Sequence, residues 1–376
     1  MGLPALVGLA LATFAVALLV MPHAGRAAAL HLMLAVGALP LIFAAMSHFI
    51  PVLTRSRAAP PELGSVPVLA LAGGTLAVAA IGLPAMHWAQ HAAALLVVVA
   101  AVSLLVWSRR RRAGMLGRAH AGLAWYEAAL ACLIAALLAI LASVLWPEQT
   151  VALRRLHLHL NTLGFVGLTA LGTLAVLMPT VAGRPDPAVA PALRRDLPWA
   201  AAGTLGVALG AAWFVPLAVA GALAWGVVLA RFVAAWLQRY RSEIFALHGA
   251  APLLGAALAG FATSLLAGAA AVGLPTLSPV SAFVAGFMLP LVSGAATYLL
   301  PVWLRPGVQG DWHARLRAQL GRYGGVRAAL FAASGLFAGA GQSWGLLLGA
   351  ATLVSFLVPA GAALLRSHLD RERTSP

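Results

Sequence analysis

The side chains with the greatest capacity for chemistry in this chain are its histidines. The 376 residues include 11 of them, beside 24 arginines, a single cysteine and no lysine. Two stand together as His157-Leu-His159, followed by Asn161, Thr162, Gly164 and Gly167. Neutral imidazole is the commonest protein ligand for transition metals and can bind through either ring nitrogen. On a helix, residues two apart point about 200° apart, so His157 and His159 share one metal only if the helix starts between them. His159, Thr162, Val166, Thr169 and Thr173 follow one another at steps of 3, 4, 3 and 4, which is one face of an α-helix. The expectation is therefore that His159 faces inward, that Thr162, Thr169 and Thr173 line a cavity beneath it, and that His157 is a loop or cap residue.

His31 is the second strong candidate, for a reason of spacing given below. His87 and His91 are four apart and would share a helical face; with Met86 beside them they could collect copper, although an aromatic turn at the membrane interface is the plainer explanation. His248 is better read as closing a helix end. His23, His120, His313 and His368 fall near span ends or in loops and carry little signal. Glu127 is the one carboxylate expected inside a span, a functional position by default, with water or Arg118 as its plainer partner. Cys132 has no second cysteine to pair with, and no Cys-x-x-Cys-His motif for covalent haem is present.

The elements that must position these residues are membrane helices. Hydrophobic residues make up 62% of the chain and charged residues 9%, whereas a soluble domain carries about a quarter charged. Apolar runs recur without strand alternation, which predicts an all-α polytopic membrane protein and excludes a β-barrel. The first run reads as a retained helix, not a cleaved leader. Twelve spans are expected, near 2–21, 27–53, 66–86, 91–108, 120–146, 152–181, 197–216, 217–236, 245–271, 279–304, 325–342 and 343–365. With both termini in the cytoplasm, 21 arginines fall inside and only Arg26, Arg154 and Arg155 outside. That asymmetry is the signature of a bacterial inner membrane protein. The net charge of +15 then reflects topology and anionic lipid, not nucleic acid.

The chain also repeats. His31 to Pro51, His159 to Pro179 and Ser281 to Pro301 are each 20 residues apart, and Arg55, Arg184 and Arg305 follow the prolines by four or five. Gly37, Gly164 with Gly167, and Gly286 occupy the first halves of these segments. The chain reads as three four-helix units, near 1–112, 113–240 and 241–376, whose second helices gather about a pseudo-threefold axis. That places His31, His159 and Ser281 at one depth near the outer face, with Ser281 bordering the same cavity.

Two of these helices resemble those of a known superfamily. His31-Leu-Met-Leu-Ala-Val-Gly-Ala-Leu-Pro through His48-Phe-Ile-Pro51 resembles the second helix of haem-copper oxidase subunit I. The stretch from His157 through Met178-Pro179 resembles the sixth. Phe245-Ala-Leu-His248-Gly249 and Ser281-Ala-Phe-Val-Ala-Gly286 resemble later segments of the NnrS family. The resemblance implies a twelve-helix scaffold, a non-covalent b-type haem, copper as a further metal, His248 at a second metal site, and a role in nitric oxide handling or as accessory to a respiratory complex or homo-oligomer. The departures are specific: the tenth span has Ser281 where oxidases carry haem-ligating histidines, and the span 197–216 lacks the copper-binding pair. A complete oxygen-reducing centre does not carry over, and no chain of carboxylates crosses the membrane for proton pumping. The rival reading is a transporter or channel on the same scaffold without a redox cofactor, and a third is a structural partner of a respiratory enzyme.

Overall fold

The computed structural model describes residues 2–374; the side chains of residues 22–24, 364 and 367–374, and with them His23, His368, Arg371 and Arg373, lie outside the described residues. Ala- and Leu-rich apolar runs become helices because a helix satisfies every backbone N–H and C=O within itself, which lipid requires. Thirteen helices result among the described residues. They are α1 (Leu3–Ala24), α2 (Arg26–Leu53), α3 (Ser65–Gly82), α4 (Ala89–Ala113), α5 (Gly122–Ala142), α6 (Pro147–Val181), α7 (Val189–Trp213), α8 (Val215–Ile244), α9 (Ala251–Ala270), α10 (Pro279–Leu304), α11 (Asp311–Gly321), α12 (Gly324–Gly339) and α13 (Ser343–Thr374).

Ten of them are long and apolar enough to cross a membrane. The two expected spans outside this set, 197–216 and 325–342, are helical as α7 and α12. However, α7 carries Arg194, Arg195 and Asp196 in its first third, and α12 has only 16 residues. The segment 305–324, expected as a loop, contains the short polar helix α11. Its first turn is closed by the buried His313, whose Nδ1 accepts the Gly310 N–H (3.2 Å) while Nε2 donates to the Arg305 carbonyl (2.8 Å).

Three helices change hydrogen-bond register partway along. Residues Leu32–Ala38 of α2, Leu160–Leu168 of α6 and Phe283–Met288 of α10 are π-helical. A π-turn bonds each N–H to the carbonyl five residues back, which widens the helix and is often found at functional sites. Each segment begins one or two residues after His31, His159 or Ser281.

The chain forms two compact units. One comprises residues 20–176 and 185–230, the other 2–19, 177–184 and 231–374. In the first, α3 packs against α2 and α4, α5 against α4 and α6, and α7 against α6. Gly74 of α3 lies so close to the π-segment of α2 that a Cβ would sit 2.1 Å from the Ala35 carbonyl oxygen. Phe43 of α2 meets Phe165 of α6 edge-on, with ring centres 5.9 Å apart. In the second unit, α9, α10 and α12 pack together. Gly260 backs onto the π-segment of α10, where a Cβ would fall 1.8 Å from the Gly286 carbonyl oxygen, and Phe261, Phe283 and Phe287 cluster beside it.

Candidate metal centre

Within the first unit, α2 and α6 bring two imidazoles together. The rings of His31 and His157 lie 6.3 Å apart between centres and within 7° of parallel. His157 is therefore the partner of His31, and the expectation that it is a loop or cap residue is corrected. The α-helix begins at Thr150, after a turn at Pro147–Gln149, and runs unbroken through both histidines. His157 thus has a defined helical face, and that face is opposite the one His159 occupies.

The hydrogen bonds fix the chemistry of the rings. His31 Nδ1 bonds the Ala27 carbonyl (2.9 Å), His157 Nδ1 the Ala136 carbonyl (3.0 Å) and His159 Nδ1 the Arg155 carbonyl (2.8 Å). A carbonyl oxygen only accepts, so in each neutral ring Nδ1 carries the proton and Nε2 the lone pair. A metal-ligating histidine is commonly held this way, with its second nitrogen donated to a carbonyl that sets tautomer and orientation. Asn161, one turn on, donates to the His157 carbonyl (2.8 Å), and its amide lies 3.4 Å from His157 Nε2. Metal–imidazole bonds of about 2 Å, with each ring nitrogen about 1 Å from its ring centre, set two rings on opposite sides of one metal about 6 Å apart. The tautomer and the centre-to-centre distance suit such a pair of ligands, while the rings here are parallel and stacked.

The threonines are anchored to their own helix. Thr162, Thr169 and Thr173 each donate to the carbonyl four residues back, at 2.9, 2.6 and 2.8 Å, and Thr173 also bonds Tyr126 (2.8 Å). Their hydroxyl protons serve the helix, leaving lone pairs alone to face any neighbour. The α-helical steps that placed them on one face also cross the π-segment, where the register lengthens, so the inferred stripe is not a straight one.

The remaining candidates fall elsewhere. His87 is exposed and bonds the Pro84 carbonyl (2.9 Å); His91 lies in α4 with Nε2 buried and lacking a hydrogen bond. No group of three or more His, Cys, Asp or Glu residues able to hold a metal occurs among the described residues. His248 precedes α9, and its Nδ1 accepts the Tyr323 N–H (3.0 Å), so Nε2 carries the proton. That is the reverse of the polarity in the histidine pair and offers no lone pair at Nε2. Ser281 is buried and bonds the Ser278 hydroxyl (2.7 Å). Glu127 pairs with Arg112 (2.6 Å), not Arg118, and accepts from Ser108 (3.2 Å). A second carboxylate, Asp196, is 1% exposed and takes both Nε and Nη2 of Arg195 at 2.8 Å. Its position just outside the expected span 197–216 hid it from the sequence reading.

The chain matches no protein-family model and no curated protein. What the fold defines is an integral, multi-span, all-helical membrane protein. Its most chemically organised feature is the His31–His157 pair.

Proposed function

We propose that the protein binds a haem iron between His31 and His157 through their Nε2 lone pairs, with copper as the alternative metal for the same imidazoles. The observation that carries this reading is the near-parallel pair 6.3 Å apart, each ring donating Nδ1–H to a backbone carbonyl. A metal held by two such imidazoles supplies one-electron redox chemistry within the membrane. His31 and His157 would hold it, the Ala27 and Ala136 carbonyls would keep both rings in the ligating tautomer, and Asn161 would steady the backbone of His157. His159, with its own Nδ1 tied to Arg155, is a further imidazole on the same helix.

If both imidazoles held the metal, the site would serve electron transfer, and an electron-carrying accessory of a respiratory complex would be favoured over turnover of a small uncharged ligand such as nitric oxide. The resemblance to haem-copper oxidase subunit I and the NnrS family allows both roles, on a scaffold that lacks the full catalytic set. The proposed scaffold is twelve spans in three repeated units with both termini cytoplasmic. Three π-segments at matching offsets from residues 31, 159 and 281 support it, as does a shared helix ending. After Pro51 and after Pro179 the chain turns through a residue of positive φ, Arg55 and Gly183, with N–H bonds from Ser56 to Pro51 and from Arg184 to Pro179.

The test is the visible spectrum and metal content of the full-length protein purified in mild detergent. A Soret band or stoichiometric copper, lost in His31→Ala and in His157→Ala, is the expected result. A colourless, copper-free protein even after haem supplementation overturns the reading and returns the scaffold to the transporter class.

A further inference from the structure

A cleft of about 670 Å³ opens within the second unit, where the turn before α9 meets the junction of α11 and α12. Its polar lining is Arg317, Arg322, His248, Tyr298, Tyr323 and Thr297, and none of its ten lining residues is acidic. The junction is held by backbone bonds. Gly249 N–H donates to Gly321 O (2.8 Å) and Gly325 N–H to Leu247 O (3.0 Å). A Cβ at Gly324 would lie 2.1 Å from the Gly249 carbonyl oxygen, so glycine is needed where the two stretches of chain touch. Tyr323 sits at φ +56, a left-handed conformation that costs a bulky residue about 1–3 kcal/mol and concentrates at ligand clamps.

The polar groups of the cleft are donors held in place. Arg317 is half-buried; its Nε donates to the Tyr298 carbonyl (3.3 Å), its Nη2 to Gln309, and its guanidinium lies over the Tyr298 ring at 4.2 Å. Nη1 of Arg317 has no hydrogen bond among the described residues. Arg322 lies over the Tyr323 ring at 5.1 Å. His248 spends Nδ1 on the Tyr323 N–H, which leaves Nε2–H as a donor. Two guanidinium charges, one half-buried and one exposed, with an imidazole N–H and two phenols and no carboxylate among the lining residues, match a compact anion with several acceptor oxygens. The cleft has room for a substituent on that anion.

We propose that this cleft binds a phosphate group, presented either by an anionic phospholipid headgroup or by a soluble phosphate compound, with Arg317 and Arg322 as its cationic clamp. The site is independent of the histidine pair. The test uses full-length protein in phosphatidylcholine nanodiscs. In one arm inorganic phosphate is titrated by calorimetry at constant ionic strength against chloride. In the other, native mass spectrometry counts retained phosphatidylglycerol against phosphatidylcholine. Binding in either arm should weaken about tenfold in Arg317→Gln and in Arg322→Gln, as expected for loss of one charge-assisted contact. The arm that responds identifies the source. Arg322 is exposed, so Arg322→Gln keeps the test decisive should the Arg317 variant misfold, with circular dichroism as the check. Preference for neither phosphate nor phosphatidylglycerol, or binding unchanged in folded variants, overturns the proposal.

Discussion

A histidine's reach depends on what holds its second nitrogen. Ala27, Ala136 and Arg155 each spend a carbonyl on one Nδ1, and the three rings consequently share a tautomer. Polar burial elsewhere is equally specific. Glu127 is nearly buried while Arg112 is half exposed, so the two partners differ in what their loss leaves behind. Arg112→Ala strands a buried carboxylate and should cost about 3 kcal/mol. Glu127→Gln keeps the Ser108 contact and frees a guanidinium that reaches water, costing about 1 kcal/mol. Thermal unfolding in detergent reads the order, and a larger loss for Glu127→Gln contradicts it. His120 lies in the loop between α4 and α5 with its Nδ1 accepting the Gly122 N–H (3.1 Å). Burial, reinforced by the Arg194 charge, holds its pKa below the usual 6.5. A depressed histidine pKa means that the folded state binds fewer protons, so this contribution is complete above 6.5 and is lost as pH falls through the lowered value. The midpoint of unfolding should drop as pH is lowered below 6.5, and His120→Asn should flatten that slope. An unchanged slope assigns the acid sensitivity to another group.

At the scale of elements, the π-segments of α2 and α10 are sites of close helix approach. Gly260 touches the Gly286 carbonyl backbone to backbone, whereas Gly226 of α8 has open space around its missing Cβ. Gly260→Ala should therefore destabilise by about 2–3 kcal/mol through overpacking. Gly226→Ala should be neutral or stabilising by up to about 1 kcal/mol through helix propensity. Equal unfolding midpoints for the two variants contradict the packing derived for α9 on α10. The same contrast shows what the sequence could and could not reveal. Apolar runs and their prolines marked α2, α6 and α10, and the 20-residue spacing aligned His31, His159 and Ser281. The register change just beyond those residues left no trace in the pattern, because packing against neighbours, not composition, decides which carbonyl an N–H finds. The stacking of His157 on His31 was not legible either. The threonine steps assumed one α-helical period across Leu160–Leu168, and the expected span 152–181 already carried both histidines on a helix without showing which neighbour each would meet. The cleft before α9 was invisible because Arg317 and Arg322 read as topology signals, and His248 as a helix-end or metal candidate, until α11 and the glycine contacts assembled them.

For the whole molecule, the proposal is a membrane topology as well as a cofactor. Ten helices are long and apolar enough to span, and the proposed twelve-span arrangement adds α7 and α12. Reporter fusions should place the loops after Arg57, Gly117, Arg184 and Gly307 in the cytoplasm and the loop at His87 outside. A periplasmic signal after Gly307 with a cytoplasmic one after Arg184 contradicts the twelve-span arrangement. The central claim is that one metal sits between α2 and α6, and it is tested most directly by comparing metal or haem content in three single variants purified side by side. The account predicts loss in His31→Ala and in His157→Ala but retention in His159→Ala, whose ring lies on the opposite helical face. Retention in His157→Ala, with loss in His159→Ala, would contradict it.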